Sequence, residues 1–334
     1  MGTILQEIAV SHKVDEKDIK MVDTLTENAP ILRIMPFIAS SDGVTHNVEE
    51  LIAVTGGSWL DLDDPYPVVT NQTKLTPTSL SKIGGEVEGT KNKVANILGG
   101  NRTLEEKLEH YFGRKIPSDV KYTAQSVDNK LFNFFYNKAI GGTLNTNYFQ
   151  AETVDGGNNN HAAIIAVRFE DDVCGAVYNS NIDTGDPIFR ILNPDGDDPT
   201  AMHKNSSGQW VYSRIFEMDI GILAAGVNNR NVAALVNIKE GTIFEQKWID
   251  RLLEAVRADN NNTFLIMHPR LMSDHLNQFV QDKMPVVVGG NIRTAGGNSG
   301  VPFTRWAGFT PFLPDYNAKL TVSSTSAYSF DFVS

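Results

Sequence analysis

The sequence predicts a mixed α+β fold. Three observations carry it: a helix over residues 118–140 with a single apolar stripe, an alternating stretch over 210–222 about twice the usual strand length, and helices alternating with short strands from 242 onward. Residues 39–93 fit none of these patterns and need a different explanation.

From the N-terminal end, residues 15–28 place Ile19, Val22 and Leu25 at helical spacing before Pro30, which suggests a terminal arm whose short helix docks by one face. "ILRIMPF", 31–37, reads as a brief extended segment ended by Pro36. Residues 39–93 contain Pro65, Pro67, Pro77 and two glycine pairs, with no sustained helical period; "YPVVTNQTKLT" and "SKIGGEVEGTK" read as the two legs of a hairpin. Trp59, Leu60, Val68, Val69 and Leu75 are too apolar for a solvated linker, so the stretch is expected to be an extended loop that buries them on another subunit.

Thr103-Leu-Glu-Glu106 is a capping box opening a helix that Gly113 closes. Ser118 then caps the long helix, in which Val120, Ala124, Val127, Leu131, Phe134 and Phe135 form the stripe. "HAAIIAVRF" and "DVCGAVY" read as strands. In "QWVYSRIFEMDIGIL", Trp210, Tyr212, Phe216, Met218, Ile220 and Ile222 share one face, and Ser213, Glu217 and Asp219 the other. "NVAALVNI", 231–238, is expected to fold back on it antiparallel after a turn at Asn228-Asn229. A second capping box, Thr242 to Glu245, starts a helix burying Trp248, Ile249, Leu252, Leu253 and Val256. The strand "TFLIM", a helix with Leu271, Leu276, Phe279 and Val280, the strand "PVVV", a glycine loop and "WAGFTPFLP" complete a small α/β sandwich.

At 334 residues the chain exceeds the usual single domain. Its 41% hydrophobic and 21% charged residues are those of a folded protein, and no apolar run approaches the roughly 20 residues of a membrane span, so no membrane partner is expected. Residues 1–12 lack the pattern of a secretory leader, and Gln6 stands where myristoylation prefers Ser or Thr. With Cys174 the one cysteine, a reducing cytoplasm is the expected site of folding, where the Asn-x-Ser/Thr triplets at Asn71, Asn101, Asn205 and Asn261 carry no meaning. The formal charge of −11 and scattered cations exclude sequence-specific DNA binding, though a container that must release its contents gains from weak attraction to phosphate.

The chemical candidates each fail on pattern. Gly289-Gly290 and Gly296-Gly297 are out of register with both phosphate-loop and dinucleotide signatures, and the three prolines in "VPFTRWAGFTPFLPD" forbid the helix that either needs. His268 and His275, with Asp274, lack a third zinc ligand; Pro269 is expected to start a helix that leaves His268 on the preceding strand. Asp61, Asp63 and Asp64, and Asn193, Asp195, Asp197 and Asp198, lack the central glycine and distal glutamate of a calcium loop. Cys174 sits mid-strand as a small buried side chain, with no nucleophile elbow anywhere in the chain. Neither catalytic nor cofactor-binding nor metal residues are assigned, and no enzyme is expected.

Four stretches together resemble one family: "SDVKYTAQSVDNKLFNFFYNKAIGG"; "FEDDVCGAVY" followed by "SRIFEMDIGILAAGVNNRNVAALVNI"; "FLIMHPRLMSDHLNQF"; and "VVVGGNIRT…RWAGFTPFLPD". They are similar to the major capsid proteins of tailed double-stranded DNA bacteriophages, of the HK-ninety-seven type. The resemblance implies an N-terminal arm (1–38), an extended loop (39–93), a peripheral domain (94–241) with spine helix 118–140 on the 210–238 ribbon, and an axial domain (242–334). The third and fourth stretches follow the second here, whereas common family members have them first, which implies the permuted-connectivity branch. It further implies self-assembly through hexamers and pentamers into a virion capsid in the bacterial host cytoplasm, with portal, scaffolding and decoration proteins as partners and non-specific contact with packaged DNA. Another virion or surface structural subunit, such as a tail-tube or adhesin protein, is the alternative, and would have more β structure and no long central helix; an α/β enzyme is the third reading.

Overall fold

The computed structural model describes residues 16–42, 45–54, 71–97, 102–140, 148–150, 162–170, 173–179, 189–194, 198–224, 231–238, 246–259, 262–271, 286–288, 291–293, 305–306 and 310–319. In chain order the first elements are α1 (Glu16–Asn28), α2 (Pro30–Ile34), β1 (Phe37–Ala39), β2 (Thr45–Val54), β3 (Asn71–Ser79), β4 (Ser81–Thr90), α3 (Lys91–Asn96) and α4 (Leu104–Ile140). There follow β5 (Tyr148–Gln150), β6 (Ala162–Arg168), β7 (Cys174–Tyr178), β8 (Phe189–Leu192), β9 (His203–Lys204), β10 (Trp210–Ala224) and β11 (Val232–Ile238). The rest are α5 (Gln246–Ala255), β12 (Thr263–Met267), β13 (Val286–Val288), β14 (Asn291–Arg293), β15 (Arg305–Trp306) and β16 (Thr310–Pro314).

The two helices expected on either side of Gly113 are one. α4 runs for 37 residues with Pro117 inside it. Proline lacks the N–H that would bond the carbonyl four residues back and presses its ring against that carbonyl. Here that residue is Gly113, which is exposed, so its freed carbonyl can turn toward water. Lys115 and Asp119 then pair at 3.2 Å across the proline. The first capping box forms as expected: Thr103 N–H donates to Glu106 Oε2 (3.2 Å) and Glu106 N–H to Thr103 Oγ1 (3.3 Å).

The chain divides into two compact units, the first comprising Met1–Val44, Ser79–Asp128 and Ala176–Gly221. Its sheet has the order β1-β7-β10-β4, with β8 and β9 also on β10. β10 pairs antiparallel with β4 from Val211↔Thr90 to Ile220↔Ser81. That corrects two expectations. The 210–222 strand does not fold back on 231–238, and 81–91 is not the second leg of a hairpin with 66–76; β3 pairs with β2 instead. Only Leu80 separates β3 from β4, too little for a hairpin turn. The glycines of β4 account for its choice of partner, since a Cβ on Gly84 would stand 2.3 Å from the Phe216 carbonyl oxygen and one on Gly85 3.1 Å from the Phe216 ring. A strand with side chains at these positions would not lie this close.

Helix α4 seats on that sheet near its start. Tyr111 donates its hydroxyl to the Glu88 carbonyl (3.0 Å), and the Arg214 guanidinium lies 4.9 Å from the centre of the Phe112 ring. Leu108, Ile116, Val120 and Ala124 continue the buried stripe. Residues 31–34, expected to be extended, are helical because Pro30 occupies the first-turn position where its fixed φ helps and its missing N–H costs nothing. Ala29 offers α2 no side-chain cap; the Asp128 carboxylate, wholly buried on α4, accepts from Ile31 N–H at 2.9 Å in its place.

The second unit comprises Thr45–Thr78, Asn129–Gly175 and Ile222–Ser334. Its main sheet has the order β15-β16-β12-β6-β11-β5, with β6 antiparallel to β11 and β12 and β12 parallel to β16. β6 and β11 thus share a sheet with β12, across the boundary expected at 241/242. Each is buried along nearly its whole length, and such a continuous apolar run belongs in a central strand covered on both faces rather than in a ribbon. α5 covers one face: Trp248, Ile249, Leu252, Leu253 and Val256, all buried as expected, pack with Ile164, Ala166, Leu235 and Leu265. Elsewhere in the unit, Phe135 meets Phe169 at 6.1 Å and Phe169 meets Phe264 at 5.9 Å. Asn129 donates to the carbonyls of Asn317 and Lys319 (both 2.7 Å), and Asn133 to Lys319 (2.9 Å), fastening the chain after β16 to α4. The second capping box and most of the helix expected after Pro269 lie outside the described residues.

Along α4, Phe132 and Phe135 of the expected helix are both at 0% exposure, while Phe134 and Val127 of the expected stripe are half-buried. Phe132→Ala is therefore expected to cost about 3–5 kcal/mol, and Phe134→Ala clearly less, as read from urea midpoints. Equal losses would place the core on the wrong side of the helix. Gly84→Ala should lower the melting temperature by displacing β4 from β10, at a cost of about 1–3 kcal/mol; an unchanged transition would mean the close approach is not required.

Candidate assembly surfaces

The residues weighed for chemistry are held in structural roles where they are described. Cys174 lies wholly buried in β7, and burial pushes its thiol up to about 12, with Arg168 and Glu170 nearby acting in opposite directions. It is therefore a protonated packing group at neutral pH. His268 follows β12, and the helical turn at Pro269–Leu271 begins beside it as expected. Its Nδ1 accepts from Arg270 N–H at 3.2 Å, and Tyr316 meets the ring edge-on at 6.0 Å. Burial first, then Lys319 and Arg270, push its pKa down to about 4, so the ring is neutral at neutral pH.

Asp198 accepts from the Thr200 hydroxyl (2.7 Å) and N–H (2.8 Å), which together hold its carboxyl below the usual range; it is a turn. Asp61, Asp63, Asp64, Asp195, Asp197, Asp274, His275 and the glycines of 289–300 lie outside the described residues. Val286–Val288 and Asn291–Arg293, on either side of Gly289-Gly290, pair antiparallel. Among the described residues no group of three His, Cys, Asp or Glu is placed to hold a metal ion, and no helix is long and apolar enough to cross a membrane.

What the geometry offers instead is surface. β2 and β3 form a two-stranded sheet of their own, with His46 and Val48 buried and Asn47 and Glu49 exposed between them. On β3, Leu75 stands 67% exposed, and Pro77 fits a strand whose N–H is not needed for pairing. Tyr122 on α4, Trp210 at the start of β10 and Tyr316 are likewise at least half exposed. Trp210 corrects the sequence reading, which put it on the inward face of its strand; it lies at the strand end, under the Lys204 ammonium at 5.5 Å.

The opposite face of β10 holds a charge cluster that alternation alone reads as solvent-facing. Glu217 is 9% exposed. Its carboxylate takes Lys82 of β4 at 3.1 Å and Arg190 of β8, and Arg190 reaches Asp219 at 3.6 Å. Burial raises the Glu217 pKa, but the hydrogen bonds from Lys82 and Arg190 outweigh it and hold the carboxyl below its ordinary value. One carboxylate thus ties β4 and β8 to the strand between them.

No protein-family model and no curated protein matches the chain. Solved structures do. The chain is similar to one in a near-atomic cryo-EM structure of bacteriophage Epsilon15, at a TM-score of 0.53 and 13% identity over 87% of each chain. It aligns at a TM-score of 0.46 and 10% identity with a chain of the bacteriophage JBD30 capsid, over 86% of this chain and 90% of that one. With the SrpI encapsulin complex of Synechococcus elongatus PCC 7942 the values are 0.37 and 10%, over 67% and 90%. At such identities the likeness is one of fold, and the Epsilon15 match carries it. The family resemblance read from the four sequence stretches is met at that level by a shared α+β fold.

The neutral His268 gives a pH signature. Its folded pKa of about 4 lies below the ordinary 6.5, so the unfolded chain binds the proton first and stability is lost as pH falls between those values. Urea midpoints measured at pH 7, 5.5 and 4.5 should fall more steeply for the natural chain than for His268→Gln. Parallel profiles would contradict the buried neutral ring.

Proposed function

We propose that the chain is a major capsid protein that self-assembles, as hexamers and pentamers, into the icosahedral head of a tailed bacteriophage around packaged double-stranded DNA. The observation that carries this reading is the fold shared with a bacteriophage Epsilon15 chain over 87% of both. The role is structural: each subunit contributes shape and contact area, and no reaction. The 37-residue α4 speaks against the tail-tube and adhesin alternative, which calls for more β structure and no long central helix.

A shell subunit must bury large surfaces on several neighbours, and stable assemblies bury upwards of ~2,000 Å². A ribbon with its own two-stranded pairing and an outward Leu75 supplies such area, and its open edges can add to a neighbour's sheet. In this reading, residues 1–38 are the arm and β2–β3 the core of the extended loop. β4 goes to the peripheral domain together with α4 and β10, while β5, β6 and β11 join α5, β12 and β16 in the axial domain. That division departs from 39–93, 94–241 and 242–334 as expected from sequence, because strands from before and after 242 share one sheet; the permuted connectivity remains part of the proposal. Assembly in the host cytoplasm, with portal, scaffolding and decoration proteins as partners, follows from the same reading.

Replacing residues 46–78 by a short Gly/Ser linker, with β4 kept, should leave a chain that melts cooperatively but forms no particles in electron micrographs, where the natural chain forms closed shells. Normal shells from the shortened chain would end the proposed role of the loop, and a natural chain that stays monomeric at high concentration would end the capsid reading.

A further inference from the structure

The acidic chain carries an ordered line of cations on its long helix. Lys107, Arg114 and Lys121 recur every seven residues of α4, so they return to nearly the same side, drifting about 20° and advancing about 10.5 Å each time. Arg114 and Lys121 are exposed and Lys107 is half-buried. The uncharged Ser118 and Gln125 lie along the same line. The line ends at Asp128, seven residues past Lys121 and wholly buried under Ile31, and the other acidic residues of these turns stand off it. Glu105, Glu106 and Glu109 fall about 100° or more around the helix from Lys107, and Asp119 is taken by Lys115 at 3.2 Å. Among the described residues, none of the three aligned cations makes an ion pair.

Other exposed cations, Lys91, Lys93 and Arg102 among them, also make no ion pair among the described residues, so what distinguishes these three is their alignment on one helix. Three left unmatched along about 21 Å of one rigid helix complement a long, straight polyanion better than they complement the protein's own surface. Duplex DNA presents one phosphate charge per about 1.7 Å, so this length faces roughly a dozen of them. The contact is by charge alone, with no side chains arranged to read bases, and each subunit contributes few phosphate contacts. That is what reversible, sequence-independent holding by many copies requires.

We infer that Lys107, Arg114 and Lys121 form a phosphate-backbone contact for double-stranded DNA on the exposed side of α4. The inference rests on the shell reading for its ligand and is tested separately from it. Fluorescence anisotropy of the purified chain with a labelled duplex of about 30 base pairs, between ~20 and ~100 mM salt, should give a log K against log[salt] slope near about −2.7 for three contacts. Lys107→Gln/Arg114→Gln/Lys121→Gln should weaken binding at least about ten-fold and flatten the slope toward zero. Lys91→Gln/Lys93→Gln/Arg102→Gln removes equal charge from other exposed cations and should change affinity less than about three-fold.

No duplex binding by the natural chain at the lowest salt, or equal losses in the two variants, overturns the assignment. So does a stripe variant that binds duplex normally yet no longer forms particles, since the stripe would then dock on a second copy. Particles are counted by electron microscopy for every variant. A natural chain that binds duplex as expected but builds no shell would refute the shell reading and leave the stripe standing.

Discussion

The pairing of β10 with β4 is the constraint on which the first unit rests. Its ten-pair register joins segments more than a hundred residues apart in the chain, and loop closure over such a separation must be repaid by contact quality. Gly84 provides it, by letting the β4 backbone come down on the Phe216 carbonyl where any side chain would collide, and Gly85 spares the Phe216 ring a tight contact. Gly89 does the same farther along, where a Cβ would stand 2.7 Å from the Tyr111 ring. The glycines thus set two distances at once: strand to strand, and sheet to helix. Through Tyr111 and Phe112 the seating of α4 follows from the seating of β4.

Polar groups then fix what apolar packing leaves loose. Hydrophobic contact is non-directional, whereas a buried carboxylate tolerates few arrangements because an unmatched charge there is costly. Asp128 holds the first turn of α2, and Glu217 holds Lys82 and Arg190 from the strands either side of it. In the second unit Asn129 and Asn133 do this with neutral amides, gripping the carbonyls of the chain after β16. A bulge at Asn237, with φ of 60°, shifts the register of β11 on β6, and asparagine is among the few residues that accept that backbone. Each device defines position rather than supplying most of the stability.

Cys174 and His268 are both buried and both held in their uncharged forms. They fill space in the packed sheet. The exposed side chains carry the remaining potential for function, as an apolar ribbon edge at Leu75 and a cationic line on α4.

Local pattern determined the elements. The stripe of α5, the capping box at Thr103, the continuous apolar strands at 162–168 and 232–238, and the alternation of 210–222 were all legible, because each is written in neighbouring residues. The family resemblance was legible too, at the level of a shared α+β fold. What only the tertiary structure decided was partnership. Whether β10 paired with the next strand or with β4 depended on glycines over a hundred positions away; whether Pro117 ended a helix depended on the exposure of Gly113 to water; and whether Glu217 faced water depended on cations from two other strands. Period and capping are short-range properties, readable one window at a time. Register, burial of charge and tolerance of a proline are set by atoms brought together only when the chain has folded.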